Sequence, residues 1–156
     1  MMYKVLDVCD YILKYCNGKD YLISNLKLQK VLYFIQAQFL EEKSGYPCFI
    51  ENIEAWDFGP VVPEAYYKYK VYAGGSIYAK PSENDVIEDE DKPLINNMID
   101  RLAEWSAAEL TELTQKQTPW RQAYVPETNQ VISNKAIHEF FRTDKHTVGG
   151  HINEQR

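Results

Sequence analysis

At 156 residues the chain has the length of one domain, a size at which about 68–70% of the unfolded surface is buried on folding. Hydrophobic residues at 45% and charged residues at 26% exclude a wholly disordered chain, and no run approaches the roughly 18 apolar residues of a membrane span. The formal net charge of −6 turns the overall field against phosphate backbones and toward a basic or amphipathic partner.

The opening MMYKVLDVCD carries Asp7 and Asp10 among its apolar residues and no signal-peptide core follows, so a cytoplasmic protein is expected. Val5, Val8, Cys9, Ile12, Leu13 and Cys16 recur at helical spacing over residues 3–17, where Asn17-Gly18 offers a left-handed stop. Along that helix Cys9 and Cys16 stand roughly 10 Å apart, beyond the roughly 7 Å Cα limit for a disulfide. Reduced thiols follow.

Ser24 caps a second helix whose stripe of Leu26, Leu28, Val31, Leu32, Ile35, Phe39 and Leu40 runs until Ser44-Gly45. Residues 48–56 read as a short strand or hairpin arm, broken by Gly59-Pro60. Pro63 and Glu64 suit the first turn of a third helix over about 63–72, closed by Gly74-Gly75.

Ser76 to Ala79 suits a small strand, and PSENDVIEDEDK reads as a solvated loop with Val86-Ile87 docking at an edge. Asp91 and Pro93 signal cap and first turn of a helix carrying Leu94, Ile95, Met98, Ile99, Leu102 and Trp105. Ser106 and Glu109 have the spacing of a capping box, Thr118-Pro119 repeats the cap-then-proline pattern, and Ser133 caps a last helix bearing Ile137, Phe140 and Phe141. The expected fold is mainly α: a compact bundle of about six helices with a small β-hairpin or short antiparallel sheet. Residues 1–142 form its single domain, and residues 143–156 are expected to be a flexible tail.

The residue types that carry chemistry are sparse. Cys9 and Cys16 lie on an apolar stripe that disfavours the thiolate. His146 and His151 form one loose pair, short of the two clusters of a zinc site, and the acidic run lacks the order of a calcium loop. No phosphate-binding glycine motif occurs, so neither metal nor cofactor is expected. Lys27 and Lys30, three apart on the second helix, support an alternative reading as a nucleic-acid-binding regulator, against the overall charge. Glu54, Asp57 or Cys48 beside the Gly-Pro turn would serve an enzyme of unrecognised type. With twelve tyrosines, more than a small core hides, some rings are expected at the surface, where Tyr and Trp mark protein-binding sites.

Three segments carry a family resemblance. Ser24-Asn25-Leu26-Lys27-Leu28-Gln29-Lys30-Val31-Leu32-Tyr33-Phe34, Ile53-Glu54-Ala55-Trp56-Asp57-Phe58-Gly59-Pro60-Val61-Val62-Pro63 and Leu113-Thr114-Gln115-Lys116-Gln117-Thr118-Pro119-Trp120 are similar, in order and spacing, to the motifs of the SocA-like, Panacea antitoxin domain. Gln115 stands where that family often has His, and Gln117 replaces its acid, which weakens an enzymatic role further. The resemblance implies a non-enzymatic cytoplasmic antitoxin, encoded beside its toxin and often in prophage DNA, that neutralises by direct binding. At least one such domain acts as an adaptor handing its toxin to a AAA+ protease. On this reading Lys27, Lys30, Tyr33, Tyr66, Tyr67 and Tyr69 are the candidate partner contacts. Trp56, Gly59, Pro60, Pro119 and Trp120 are expected to be scaffold.

Overall fold

The computed structural model describes residues 2–142 and Ile152. In chain order these form α1 (Val5–Lys19), α2 (Asn25–Glu42), β1 (Ile53–Trp56), β2 (Gly59–Val61), α3 (Pro63–Tyr69) continuing into a 3-10 turn (Lys70–Tyr72), α4 (Lys92–Leu102), α5 (Ala107–Gln115), α6 (Thr118–Ala123), β3 (Val131–Ile132) and α7 (Asn134–Phe141). The architecture is mainly α with a small antiparallel sheet of order β2-β1-β3.

Ser24 caps α2 as expected, its hydroxyl accepting from the Lys27 amide at 3.2 Å. From Leu28 to Ala37 every residue of α2 is buried, because α3, α4, α5, α7 and β2 all pack against it. A helix covered on all sides must be apolar or have its polar groups satisfied internally. α2 takes the second course. Gln36 accepts from the Cys48 and Phe49 amides at 2.7 and 3.1 Å and donates to the Phe49 carbonyl at 3.0 Å, which ties the segment before the sheet to the helix.

Several local expectations are corrected. α1 runs through Asn17-Gly18, and the left-handed residue after it is Asp20, at φ 57°. The hairpin does not break at Gly59-Pro60. Asp57 and Phe58 make the turn, and Gly59-Pro60 begins β2, with Trp56 opposite Gly59 and Ala55 opposite Pro60. Proline fits there because β2 is the edge of the sheet. Pairing of Ile53 with Ile132 and Glu54 with Val131 adds β3, two residues long and too short to be legible as a strand.

Asp91 precedes α4 but its side chain caps nothing. It is buried, accepts from the Tyr3 hydroxyl at 2.5 Å, and pairs with Lys43 at 2.8 Å, so it ties the acidic loop to the residue two before α1 and to the C-cap of α2. Burial alone would raise its pKa, but the bonds from Lys43 and Tyr3 outweigh it and hold the carboxyl below its usual range. α4 ends at Leu102, and Trp105 reaches the core from the following turn. Gln117, not Thr118, occupies the cap position of α6. The capping box of Ser106 and Glu109 and the Ser133 cap of α7 form as read. Ser76 pairs with Ser24 as an isolated bridge, and Ile87 is buried without forming a strand. In the stretch read as a tail, Ile152 is helical and buried, and the other residues of 143–156 lie outside the described residues.

Candidate functional site

The three sequence motifs meet at the β1–β2 hairpin. From α2, Lys30 donates to the Pro60 carbonyl at 2.9 Å, and Gln29 accepts from the Val62 amide at 2.9 Å while donating to Asn25, whose own amide donates to the Tyr66 carbonyl at 3.0 Å. From the α5–α6 region, Gln115 donates to the Asp57 carbonyl at 2.8 Å and the Trp120 indole to the Trp56 carbonyl at 2.9 Å. The first and third motifs thus supply side chains that hold the backbone of the second and of the helix that follows it. The hairpin and the start of α3 are suspended between α2 on one side and α5–α6 on the other.

Gly59 shows how closely these parts fit. Its φ is 92°, a left-handed conformation that L side chains rarely adopt, and a Cβ there would lie 3.0 Å from Thr114 Oγ1 and 3.1 Å from Lys30 Cε. Lys30 is fully buried against this backbone and has no ion pair among the described residues. Burial pushes its amine down to about 7. Lys27 donates to the Ala103 carbonyl at 3.0 Å. The two lysines on which a nucleic-acid surface would rest are therefore engaged in holding the fold, Lys30 entirely so.

The tyrosines divide by the period of their helices. Tyr33 is buried in α2, edge-on to Phe34 at 5.2 Å, and donates to Gln117 at 2.7 Å. Tyr69 follows Ala65 by one turn on the inward side of α3, and its buried hydroxyl has no hydrogen-bond partner among the described residues. Desolvation pushes both phenols above their usual range. Tyr66 is half-buried and Tyr67 is 57% exposed. So of the six candidate contacts, Lys30, Tyr33 and Tyr69 are interior in this conformation, Lys27 is half-buried, and Tyr66 and Tyr67 reach the surface.

Around those two rings an aromatic cluster forms. Trp56 meets Tyr66 edge-on at 5.0 Å and Tyr67 at 6.1 Å, Tyr66 meets Tyr67 at 5.7 Å, and Phe58 lies 6.5 Å from Trp56 with 46% of its surface exposed. Lys70 stands 5.4 Å from the Tyr67 ring centroid and Val71 beside it is 79% exposed. Phe58 is at the surface because it occupies the two-residue turn. That position was the signal available in the sequence, since a turn between paired strands points away from the sheet. Of the residues read as scaffold, Trp56, Gly59, Pro60 and Pro119 are buried, and Trp120 is half-buried and stacks on Tyr124 at 4.4 Å.

Of the groups weighed for catalysis, the two carboxylates are hydrogen-bonded and the thiols are buried. Glu54 accepts from the Trp56 indole at 2.9 Å, and Asp57 accepts from the Tyr124 hydroxyl. Cys9, Cys16 and Cys48 are free and buried, and burial raises all three thiols, Cys16 to about 11. Among the described residues no group of three or more His, Cys, Asp or Glu comes together to hold a metal. His138 lies on α7 beside Gly45, and His146 and His151 lie outside the described residues. No described helix is long and apolar enough to cross a membrane.

The arrangement is a helical scaffold displaying a ring-lined ridge built from the hairpin turn and α3. The chain belongs to the family described as antitoxin SocA-like, Panacea domain, whose model matches residues 28–121, a stretch that reaches from the first turn of α2 to Arg121 in α6 and takes in Gln29, Lys30, the hairpin, Gln115 and Trp120. It is 36% identical over 80 residues to antitoxin SocA of Caulobacter vibrioides (strain NA1000 / CB15N), a match covering 51% of this chain. The matched stretch spans 42% of that protein. No solved structure matches the chain.

Proposed function

We propose that this chain is an antitoxin whose domain, residues 1–142, neutralises a cognate protein toxin in the cytoplasm by direct binding, with Phe58, Tyr66 and Tyr67 at the centre of the contact. The observation that carries the reading is the exposed ring cluster mounted on the hairpin that the family motifs hold in place. Aromatic side chains bury much area at low conformational cost, which makes them dominant contributors at protein interfaces. The net charge of −6 favours encounter with a basic toxin. The role needs no covalent step, in keeping with carboxylates and thiols that are committed to the fold.

Removing two of the three rings tests the face. With Tyr66→Ala combined with Tyr67→Ala, calorimetric titration of the toxin encoded beside the gene is expected to show an affinity loss of about 100-fold, for roughly 2–3 kcal/mol of hot-spot contact. Circular dichroism should show the variant still folded, because neither ring is in the core cluster. Unchanged affinity in the folded variant would remove the proposed face. Delivery of the bound toxin to a AAA+ protease is a separate step beyond binding: if neutralisation works by occlusion alone, it persists in a protease-deficient strain, and if it works by delivery it is lost there.

A further inference from the structure

Between the first turn of α2, the hairpin turn and the 3-10 segment after α3 lies a cavity of about 200 Å³ lined by Asn25, Leu26, Phe58, Tyr66, Lys70 and Ala73. Pockets for drug-sized ligands run to about 300–1,000 Å³, so this one has room for a single large side chain. Most of its exposed wall is apolar. The Asn25 amide is already used, donating to the Tyr66 carbonyl and accepting from Gln29, so it places no polar demand on an occupant.

One charge lines the cavity. Lys70 is exposed, has no ion pair among the described residues, and lies over the Tyr67 ring. No acid is among the lining residues. In a chain of net charge −6 this is a local reversal of sign, and it fixes which end of an occupant is charged. Long-range attraction of a basic partner and short-range pairing at one lysine act at different distances, because charges farther apart than roughly 10 Å are largely screened at 0.1 M salt.

We propose that this cavity is the anchor pocket of the partner face, taking a leucine- or phenylalanine-sized side chain from a segment of the partner protein in which that residue is followed directly by Asp or Glu, whose carboxylate meets Lys70. The proposal rests on the reading of the aromatic ridge as a protein-binding surface and adds the sequence that it selects. It implies that Phe58 and Tyr66 bound a socket as well as offering area, and that Lys70 contributes orientation more than affinity.

The test needs no toxin. Three capped peptides, acetyl-Gly-Ser-Phe-Glu-Ser-Gly-amide and its Phe-Gln and Ala-Glu counterparts, are titrated into the isotopically labelled full chain, following amide and methyl shifts by NMR. The Phe-Glu peptide is expected to move Leu26, Phe58, Tyr66, Lys70 and Ala73 and to bind about three-fold more tightly than Phe-Gln, the scale of an exposed ion pair. That preference should vanish in Lys70→Gln and shrink in about 0.5 M NaCl. The Ala-Glu peptide should leave these signals unmoved. Equal binding of Phe-Glu and Phe-Gln overturns the charge selection, and shifts absent from these residues overturn the pocket. Either failure leaves calorimetry with the toxin to decide separately whether the ridge binds it.

Discussion

Replacing Gly59 by valine is expected to cost the chain about 3 kcal/mol or more of unfolding free energy, from two additive sources. The backbone at φ 92° is open to glycine and is an outlier for a β-branched residue, a strain of about 1–3 kcal/mol. The new Cβ would also press on Thr114 Oγ1 and on the buried stem of Lys30, and overpacking of that kind costs about 1–3 kcal/mol. In a domain of this length the melting temperature should fall by roughly 6–12 °C. Gly18 supplies the contrast, because it lies within α1, nothing stands within 4 Å of its Cβ position, and its φ is not positive. Gly18→Ala is expected to stabilise by up to about 1 kcal/mol. Thermal and urea unfolding of the two variants should therefore give shifts of opposite sign. A Gly59→Val variant as stable as the parent would mean that the hairpin is not held against α2 and α5 as described.

The second large effect is a pH dependence that originates at Lys30. Its ordinary pKa of 10.5 falls to about 7 on burial, so between these values the folded chain binds fewer protons than the unfolded chain and stability rises with pH. From pH 7 to 8.5 the rise is on the order of 1–2 kcal/mol, one pKa unit being worth about 1.4. The cysteines act in the opposite sense. Their folded pKa values are raised, so their contribution is complete below the ordinary thiol range and is lost above it. Comparison with Lys30→Met cancels that term, since the thiols are the same in both. The stability of the native chain relative to the variant is expected to grow by about 1–2 kcal/mol over this interval, measured by urea denaturation at the two pH values. A constant difference would show that the amine is not desolvated. The direction also bears on function, because the carbonyl that Lys30 holds belongs to Pro60, two residues after Phe58 in the turn.

How far these features were legible before the fold depends on whether local or distant groups determine them. The limits of α2, the capping box at Ser106 and Glu109, and the Ser133 cap follow from hydrogen bonds between residues within four of each other, and they form where the sequence places them. The burial of Lys30, Gln29 and Gln36 does not follow from local spacing. Their side chains satisfy backbone groups of residues 48–62, which reach α2 only after the hairpin has folded back on it. Read alone, the polar face of α2 resembles a solvated one. Read with its partners, it is a row of attachment points for non-helical backbone. The site shows the same division. Tyr67 could be assigned to the surface and Tyr69 to the core from the one-turn spacing of Ala65 and Tyr69, whereas the interior position of Tyr33 depends on α5 and α7 packing on α2 and on Gln117 reaching its hydroxyl.

Amide hydrogen exchange of the chain with and without the proposed toxin partner examines the binding face without altering a residue. Protection gained on complex formation should concentrate in residues 57–72, the turn, α3 and the 3-10 segment, and leave the outer side of α1 and the acidic loop at 82–90 unchanged. A stable complex that protects α1 or the acidic loop while residues 57–72 exchange as in the free chain would contradict the aromatic ridge as the means by which this protein acts.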